Sequence, residues 1–433
     1  MIEILQIIFF SLVFSLLLFL PFNIFRQTNF FQNIDIVEKT SLNLVINLNT
    51  LLLFSFLPLS IQLIQPFVIS IYLLILIFSY RKNFVLILEF LKSFFPLIVI
   101  FFFLAVHIST ELYLGWDAKY FYYIKSLFFY EEKTIFDLDK FEHSAWHPHF
   151  GSYLWGFFWS LSFVDNEYFG RLFPLFLFCY SFFVVSKISK NQLINNIIFL
   201  ILIFISYEYE FFSGLQEIFI FSSLILISKY FFLITKKNNN EILFLYLILL
   251  FSNLLIWIKS EGIVYFFILL LLLLVQNQIL IKRKLFLSSL FIIFYILKLI
   301  IYDVSGLNNG QKNFYNLEYI FSLDFNIIIY KLSNIFIWFF YYLSNNVFFA
   351  IFILIIFYEK LFIKNRNFIN LIYYKTLMIY LFFIILFIIF AYIFRDMEIE
   401  YAIRTSMDRL IMTSSGFFVY PSIKLLINKF SLR

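Results

Sequence analysis

Residues 242–281 read ILFLYLILLFSNLLIWIKSEGIVYFFILLLLLLVQNQILI. Two apolar runs, 242–257 and 263–281, flank one polar turn, Lys259-Ser260-Glu261-Gly262. A helix that crosses a bilayer needs about 17 to 25 mostly apolar residues. It must also satisfy its own backbone amides, because lipid offers no partners. This stretch therefore reads as two membrane helices joined by a short turn.

The pattern repeats along the chain. Apolar runs near 2–25, 43–63, 66–80, 94–110, 172–186, 191–207, 214–234, 285–302, 332–357, 370–394 and 409–427 complete a set of about 11–13 expected spans. The expected fold class is all-α, a polytopic transmembrane helix bundle. Composition agrees: 63% of the 433 residues are hydrophobic and only 13% are charged. A soluble domain carries about twice that share of charge. The run Met1–Phe25 has an acid, Glu3, no basic n-region and no small-residue cleavage site after it, so it reads as a retained helix and not as a signal peptide. Cys179 stands alone inside an apolar run and cannot form an internal disulfide.

The net charge of +6 does not point to nucleic acid. The basic residues sit in small groups between spans: Arg81-Lys82, Lys187 and Lys190, Lys236-Lys237, Lys282-Arg283-Lys284, and Lys360 to Arg366. Cytoplasmic loops look this way. Putting them inside places 111–171, 208–213, 258–262, 303–331 and 395–408 outside, together with most of the acidic residues. The apolar segments 151–164 and 315–331 do not fit this alternation and read as helices in the outer interface, the first anchored by Trp155 and Trp159.

The segment 111–171 is the only long polar stretch, and it carries three of the four histidines and four of the six tryptophans. Its aromatic content argues for an ordered loop. Asp117 lies just past a span, where partial burial can tune a general base, although Asp is also a common helix N-cap. Glu217 opens an apolar helix, and an acid bordering a span marks a functional candidate. Lys259 suits a phosphate, or else simply a polar turn. Arg404 and Arg409 open the final helix beside several acids, and arginine donates to phosphate in a fork. His143, His147 and His149 do not have zinc-site spacing, and Pro148 breaks their geometry, so they read as substrate contacts or loop structure. No phosphate-binding loop, dinucleotide fingerprint, zinc-protease helix or nucleophile elbow is present.

Taken in order, four elements resemble bacterial membrane glycosyltransferases of the GT-C class, the lineage of protein mannosyltransferases and of aminoarabinose and galacturonic acid transferases. These are Trp116-Asp117-Ala118-Lys119; Trp146-His147-Pro148-His149 with Arg171 to Pro174; Gly214 to Glu217; and Lys259 to Gly262 with Thr405 to Leu410. The resemblance spans 94–427, so residues 1–93 stand as N-terminal helices outside it and 94–433 as the transferase region.

The resemblance implies a sugar donor on a polyprenyl phosphate and a glycan, lipid or protein acceptor, in a bacterial inner membrane with the site facing the periplasm. Asp117 would be the general base. Glu217 would position the acceptor or hold a metal. Lys259 and Arg409 would steady the leaving phosphate, with Arg404 and Arg171 in reserve. Lys119, His147 and Glu261 would contact substrate. Some relatives use a divalent cation, but this sequence offers no full ligand set, so no metal ligand is assigned. A lipid-linked oligosaccharide polymerase or ligase is the alternative enzyme, although such proteins carry their large loop late in the chain. A transporter or flippase is the non-enzyme alternative, although the spans hold few central charges beyond Lys298.

Overall fold

The computed structural model describes residues 2–21, 34–110, 112–140, 147–235, 240–307, 324–362, 368–395 and 398–430. His143, Lys236-Lys237, residues 315–323, Lys364, Arg366 and Asp396 fall outside them. The described residues are helical with no strand. Among the described residues, ten helical segments are long and apolar enough to cross a membrane, and three shorter apolar helices accompany them. The protein is thus an all-α, multi-pass membrane protein. Its chain forms two compact units, one mainly from 1–219 and one mainly from 220–433, with Trp257–Lys259 belonging to the first.

In the first unit, α1 (Ile2–Phe19), α2 (Ile36–Phe54) and α3 (Ile61–Thr110) precede the polar segment, and α6 (Tyr168–Ser186) and α7 (Gln192–Ser206) follow it. Phenylalanines fill the space between α1, α3 and α6. Phe14 alone meets Phe101, Phe173 and Phe176 at 5.0–5.6 Å between ring centres. The carbonyls at the end of α1 have no partner within their own helix. Two amides of α2 supply partners: Asn43 donates to Leu18 and Phe19, and Asn47 to Leu17 and Leu20. Asp35 starts α2 with a capping box to Glu38. The helix therefore begins seven residues earlier than hydropathy suggested.

Residues 81–93, expected as a cytoplasmic loop, are helical within α3. The stretch has no glycine or proline to end a helix. A straight helix of these 50 residues would be about 75 Å long. Yet both ends of α3 meet the same loop cluster. Gln62 donates to the Tyr130 carbonyl and Gln65 to that of Phe157 at 2.7 Å. Beyond Thr110, the Gly115 amide donates to Ser213, whose neighbour Gly214 lies against Trp155. The helix is therefore strongly bent, with Pro66 and Pro96 inside it.

The interfacial helix expected at 151–164 is α5 (Phe150–Trp159), and all ten of its residues are buried. At about 15 Å it is too short to span. Trp155 and Trp159 are core residues and not interface anchors. Their indoles donate to the Glu167 carbonyl and to Asp165, which is how buried tryptophan is satisfied.

The second unit holds most of α8 (Glu217–Ile234) and α9 (Glu241–Ile258), then α10 (Gly262–Val275), α11 (Ile281–Val304), α12 (Phe325–Asn345), α13 (Val347–Phe362), α14 (Phe368–Ile393) and α15 (Ile399–Phe430). The expected single span 332–357 is two helices. Asn346 breaks it and accepts the Phe349 amide as a cap. Residues 325–331, expected in the interface, are the first turns of α12. Gly262 follows the Lys-Ser-Glu turn because any Cβ there would sit 1.8 Å from the Leu255 carbonyl oxygen. Lys298 of α11 is no isolated central charge. It donates to Ile256 in the last turn of α9 at 2.7 Å. Lys331 of α12 likewise donates to Arg395, just past α14, at 2.9 Å. A cation at a helix C-terminus satisfies orphan carbonyls and meets the negative end of the dipole.

Candidate functional site

The polar segment of the first unit folds into a π-helical turn (Ala118–Tyr123), then α4 (Ile124–Tyr130), a short 3-10 turn (Ile135–Lys140) and α5. Aromatic rings hold it together. Tyr122, Trp155 and Trp159 form a buried cluster, with Leu114, Tyr123, Leu127 and Tyr130 packed against it.

Asp117 immediately precedes the π-helical turn, half-buried, and makes no side-chain cap hydrogen bond. The simple N-cap reading thus does not describe it. Six residues of π-helix are unusual, and such turns recur at functional sites. The backbone around Asp117 is fastened to the segment that carries Glu217. Gly115 N–H donates to Ser213 O at 3.0 Å, and Gly214 stands against Ala118 and the Trp155 ring. Gly214 has φ +91°, in the left-handed region, and a Cβ there would come within 2.6 Å of Trp155. The sequence element Gly214 to Glu217 needs glycine on both counts.

The His147 element reaches the same place. Lys125, on the first turn of α4, is buried and donates to the His147 carbonyl at 2.7 Å. The His147 ring lies 5.2 Å from that of Phe121. His149 pairs with Ser55 at 2.9 Å, and Gly151 lies against the Gln216 amide. One residue further, Glu217 accepts from Lys259 Nζ at 2.7 Å. Their side chains are only 5% and 12% exposed, so this is a largely desolvated ion pair. Lys125, Lys259 and Glu217 all act electrostatically on His147.

Burial governs titration here. It pushes Lys125 down to about 7. His147 is pushed down to about 3, first by burial and then by Lys125 and Lys259, against an opposing pull from Glu217. The imidazole is therefore neutral near pH 7. Lys125 has no role assigned from sequence. Its signal is a lysine set in Tyr-Tyr-Ile-Lys-Ser-Leu-Phe-Phe within a helix too short to span.

Arg171 does not present itself to a ligand. It is 2% exposed, and it donates to Tyr113 O at 3.1 Å, Phe212 O at 3.2 Å and Glu167 at 2.9 Å. It clamps the chain entering Asp117 to the chain entering Glu217. Burial raises the Glu167 carboxyl pKa, and the adjacent Arg171 partly offsets this. The seam beside Arg171, lined by Trp155, Gly214 and Gln216, encloses about 10 Å³, room for no more than about one water. Trp116, Lys119 and Tyr120, which flank Asp117 in sequence, are all exposed.

Six of the nine sequence-assigned residues thus lie in the first unit: Asp117, Lys119, His147, Arg171, Glu217 and Lys259. Glu261, Arg404 and Arg409 lie in the second. There, Arg404 is exposed, 3.8 Å from Glu400 and over the Trp338 ring. Arg409 donates within its own helix to Thr405 O at 2.8 Å. Glu261 precedes α10 without a side-chain cap bond. Arg395, which carried no assigned role, donates to Ser406 at 3.1 Å, and Ser406 also bonds Tyr392.

Among the described residues, no three His, Cys, Asp or Glu side chains gather as a metal site. Compared with models of protein families, with curated proteins and with solved structures, the chain matches none.

Proposed function

We propose that this chain is a membrane glycosyltransferase that moves a sugar from a polyprenyl phosphate to an acceptor hydroxyl outside the membrane. The observation that carries this reading is convergence. The segments that carry Asp117, Lys125, the His147 element and the Glu217–Lys259 pair lie far apart in sequence, yet contacts between those segments join them within one unit. A buried carboxylate–ammonium pair at the ends of apolar helices, with Asp117 on an adjoining segment, suits a substrate with a lipid tail and a charged head.

In this mechanism Asp117 takes the proton of the acceptor hydroxyl. The freed oxygen bonds to the anomeric carbon as the bond from that carbon to the phosphate oxygen breaks, with inversion. The phosphate leaves carrying the electron pair and a further negative charge. Fixed cations stabilise such charge best where water is excluded. Lys259 is the cation assigned to it. Glu217 acts as a positioning residue, because its carboxylate holds the Lys259 ammonium. Neutral His147 serves as a hydrogen-bonding group and not as a cation.

The transport alternative loses support, since Lys298 and Lys331 have helix-end carbonyls as partners. The test is transfer of labelled sugar from polyprenyl-phosphate donors by purified protein in nanodiscs, with a cell-envelope extract as acceptor. Label moving to envelope material supports the reading. Intact donor beside demonstrably folded protein, across a panel of donors, rejects it.

A further inference from the structure

The exposed rings beside Asp117 have no part in the mechanism above. Trp116 is 64% exposed, and Tyr120 and Tyr113 are also exposed. Trp116 and Tyr120 stand four residues apart on one helical face, with ring centres 5.0 Å apart. Phe121 buttresses Trp116 edge-on at 5.6 Å, and Lys119 lies over the Tyr120 ring at 5.7 Å. Between the two rings in sequence come a carboxylate, Asp117, and an amine, Lys119.

A plain apolar patch would suit an acyl chain. This one is an aromatic face edged by an acid and a base within a single helical turn. A pyranose ring has the matching form, with one face of C–H bonds and a rim of hydroxyls. The C–H face packs on an electron-rich ring, and the hydroxyls donate to a carboxylate or accept from an ammonium. The rings are held by their neighbours, so little conformational freedom is lost on binding.

We infer that Trp116 and Tyr120 form a stacking platform for a saccharide acceptor. Asp117 and Lys119 then meet its hydroxyl rim, and the acceptor is a glycan, not a peptide or a simple lipid. This inference rests on the transfer reading above and narrows its acceptor class.

The test reads binding without transfer. Oligosaccharides are released from a bacterial envelope by mild acid and freed of lipid and peptide. They are offered to the full-length protein in nanodiscs, and contact is read by saturation-transfer NMR. A peptide digest of the same envelope forms the second arm. Three variants separate the causes: Trp116→Phe keeps a ring, Trp116→Leu keeps only an apolar group suited to the membrane interface, and Trp116→Ala keeps neither.

Saccharide signals in wild type and Trp116→Phe, weakened about tenfold in Leu and Ala, support the platform. Equal signals in all four proteins overturn it, as do signals from peptides alone. Absence of saccharide contact in wild type also overturns it. In that case donor turnover to water, measured on the same preparation, shows whether the transfer reading itself survives.

Discussion

Lys259 reaches across 42 residues of sequence to place its ammonium 2.7 Å from the Glu217 carboxylate, with both side chains nearly out of solvent. The pair fixes the start of α8 to the turn that follows α9. Removing one member leaves the other charge buried, which costs about 3–5 kcal/mol, whereas replacing both by neutral groups of similar shape is far milder. Glu217→Gln and Lys259→Met should each lower the melting temperature sharply in detergent. The double variant should recover most of the loss. Additive losses would mean that the two charges do not depend on each other.

Gly214→Ala should destabilise by at least about 1–3 kcal/mol, the usual cost of a side chain forced into a sparsely allowed backbone region. The clash with the rigid Trp155 ring adds to this. At Gly151 the nearest atoms to an added Cβ belong to the flexible Gln216 side chain, and its backbone φ is not in the left-handed region, so Gly151→Ala should cost less. Melting curves of the two variants side by side decide the order.

Arg171→Lys should fail to rescue Arg171→Ala. A lysine cannot hold Tyr113, Phe212 and Glu167 in the geometry of a guanidinium fork. The loss should appear as lower thermal stability. Because Arg171 faces inward, the donor KM of surviving protein should be near that of wild type. A large rise in KM with unchanged stability would return Arg171 to the phosphate.

Stability should rise with pH in two windows. His147 has a folded pKa of about 3 against an ordinary 6.5, so between those values the unfolded chain binds a proton that the folded chain does not. Stability therefore climbs from pH 3 to 6.5 and falls again on acidification. Lys125 behaves alike between about 7 and 10.5. His147→Gln should flatten the first slope and Lys125→Met the second, read from chemical denaturation across pH. An unchanged slope in either variant would show that the residue is not held neutral by burial.

Hydropathy located the spans well, because apolar length is a direct consequence of bilayer thickness. It could not see the bend in α3, since Arg81-Lys82 looks like a loop to a scale that ignores hydrogen bonding. Nor could it distinguish a buried tryptophan from an interfacial one, since Trp155 and Trp159 are buried by rings from an earlier segment, Tyr122, Tyr123 and Tyr130. The candidate residues were legible in outline. Asp117, Glu217 and Lys259 stand out as polar residues at span ends, and His147 as a histidine in the one long polar segment. Their partners do not. Lys125 bonds a backbone carbonyl, and Arg171 bonds two more, and carbonyls carry no sequence signature. The inward turn of Arg171 is invisible without coordinates.

The measurement that bears most directly on the central claim is the initial rate of sugar transfer by wild type and by Asp117→Asn, at equal and verified amounts of folded protein. Asparagine keeps the shape and removes the base. A positioned general base contributes about 10²- to 10⁴-fold, so the variant should lose at least that much while donor binding persists. Transfer by the variant within about twofold of wild type would contradict Asp117 as the base, and with it the reading of this cluster as the reaction centre.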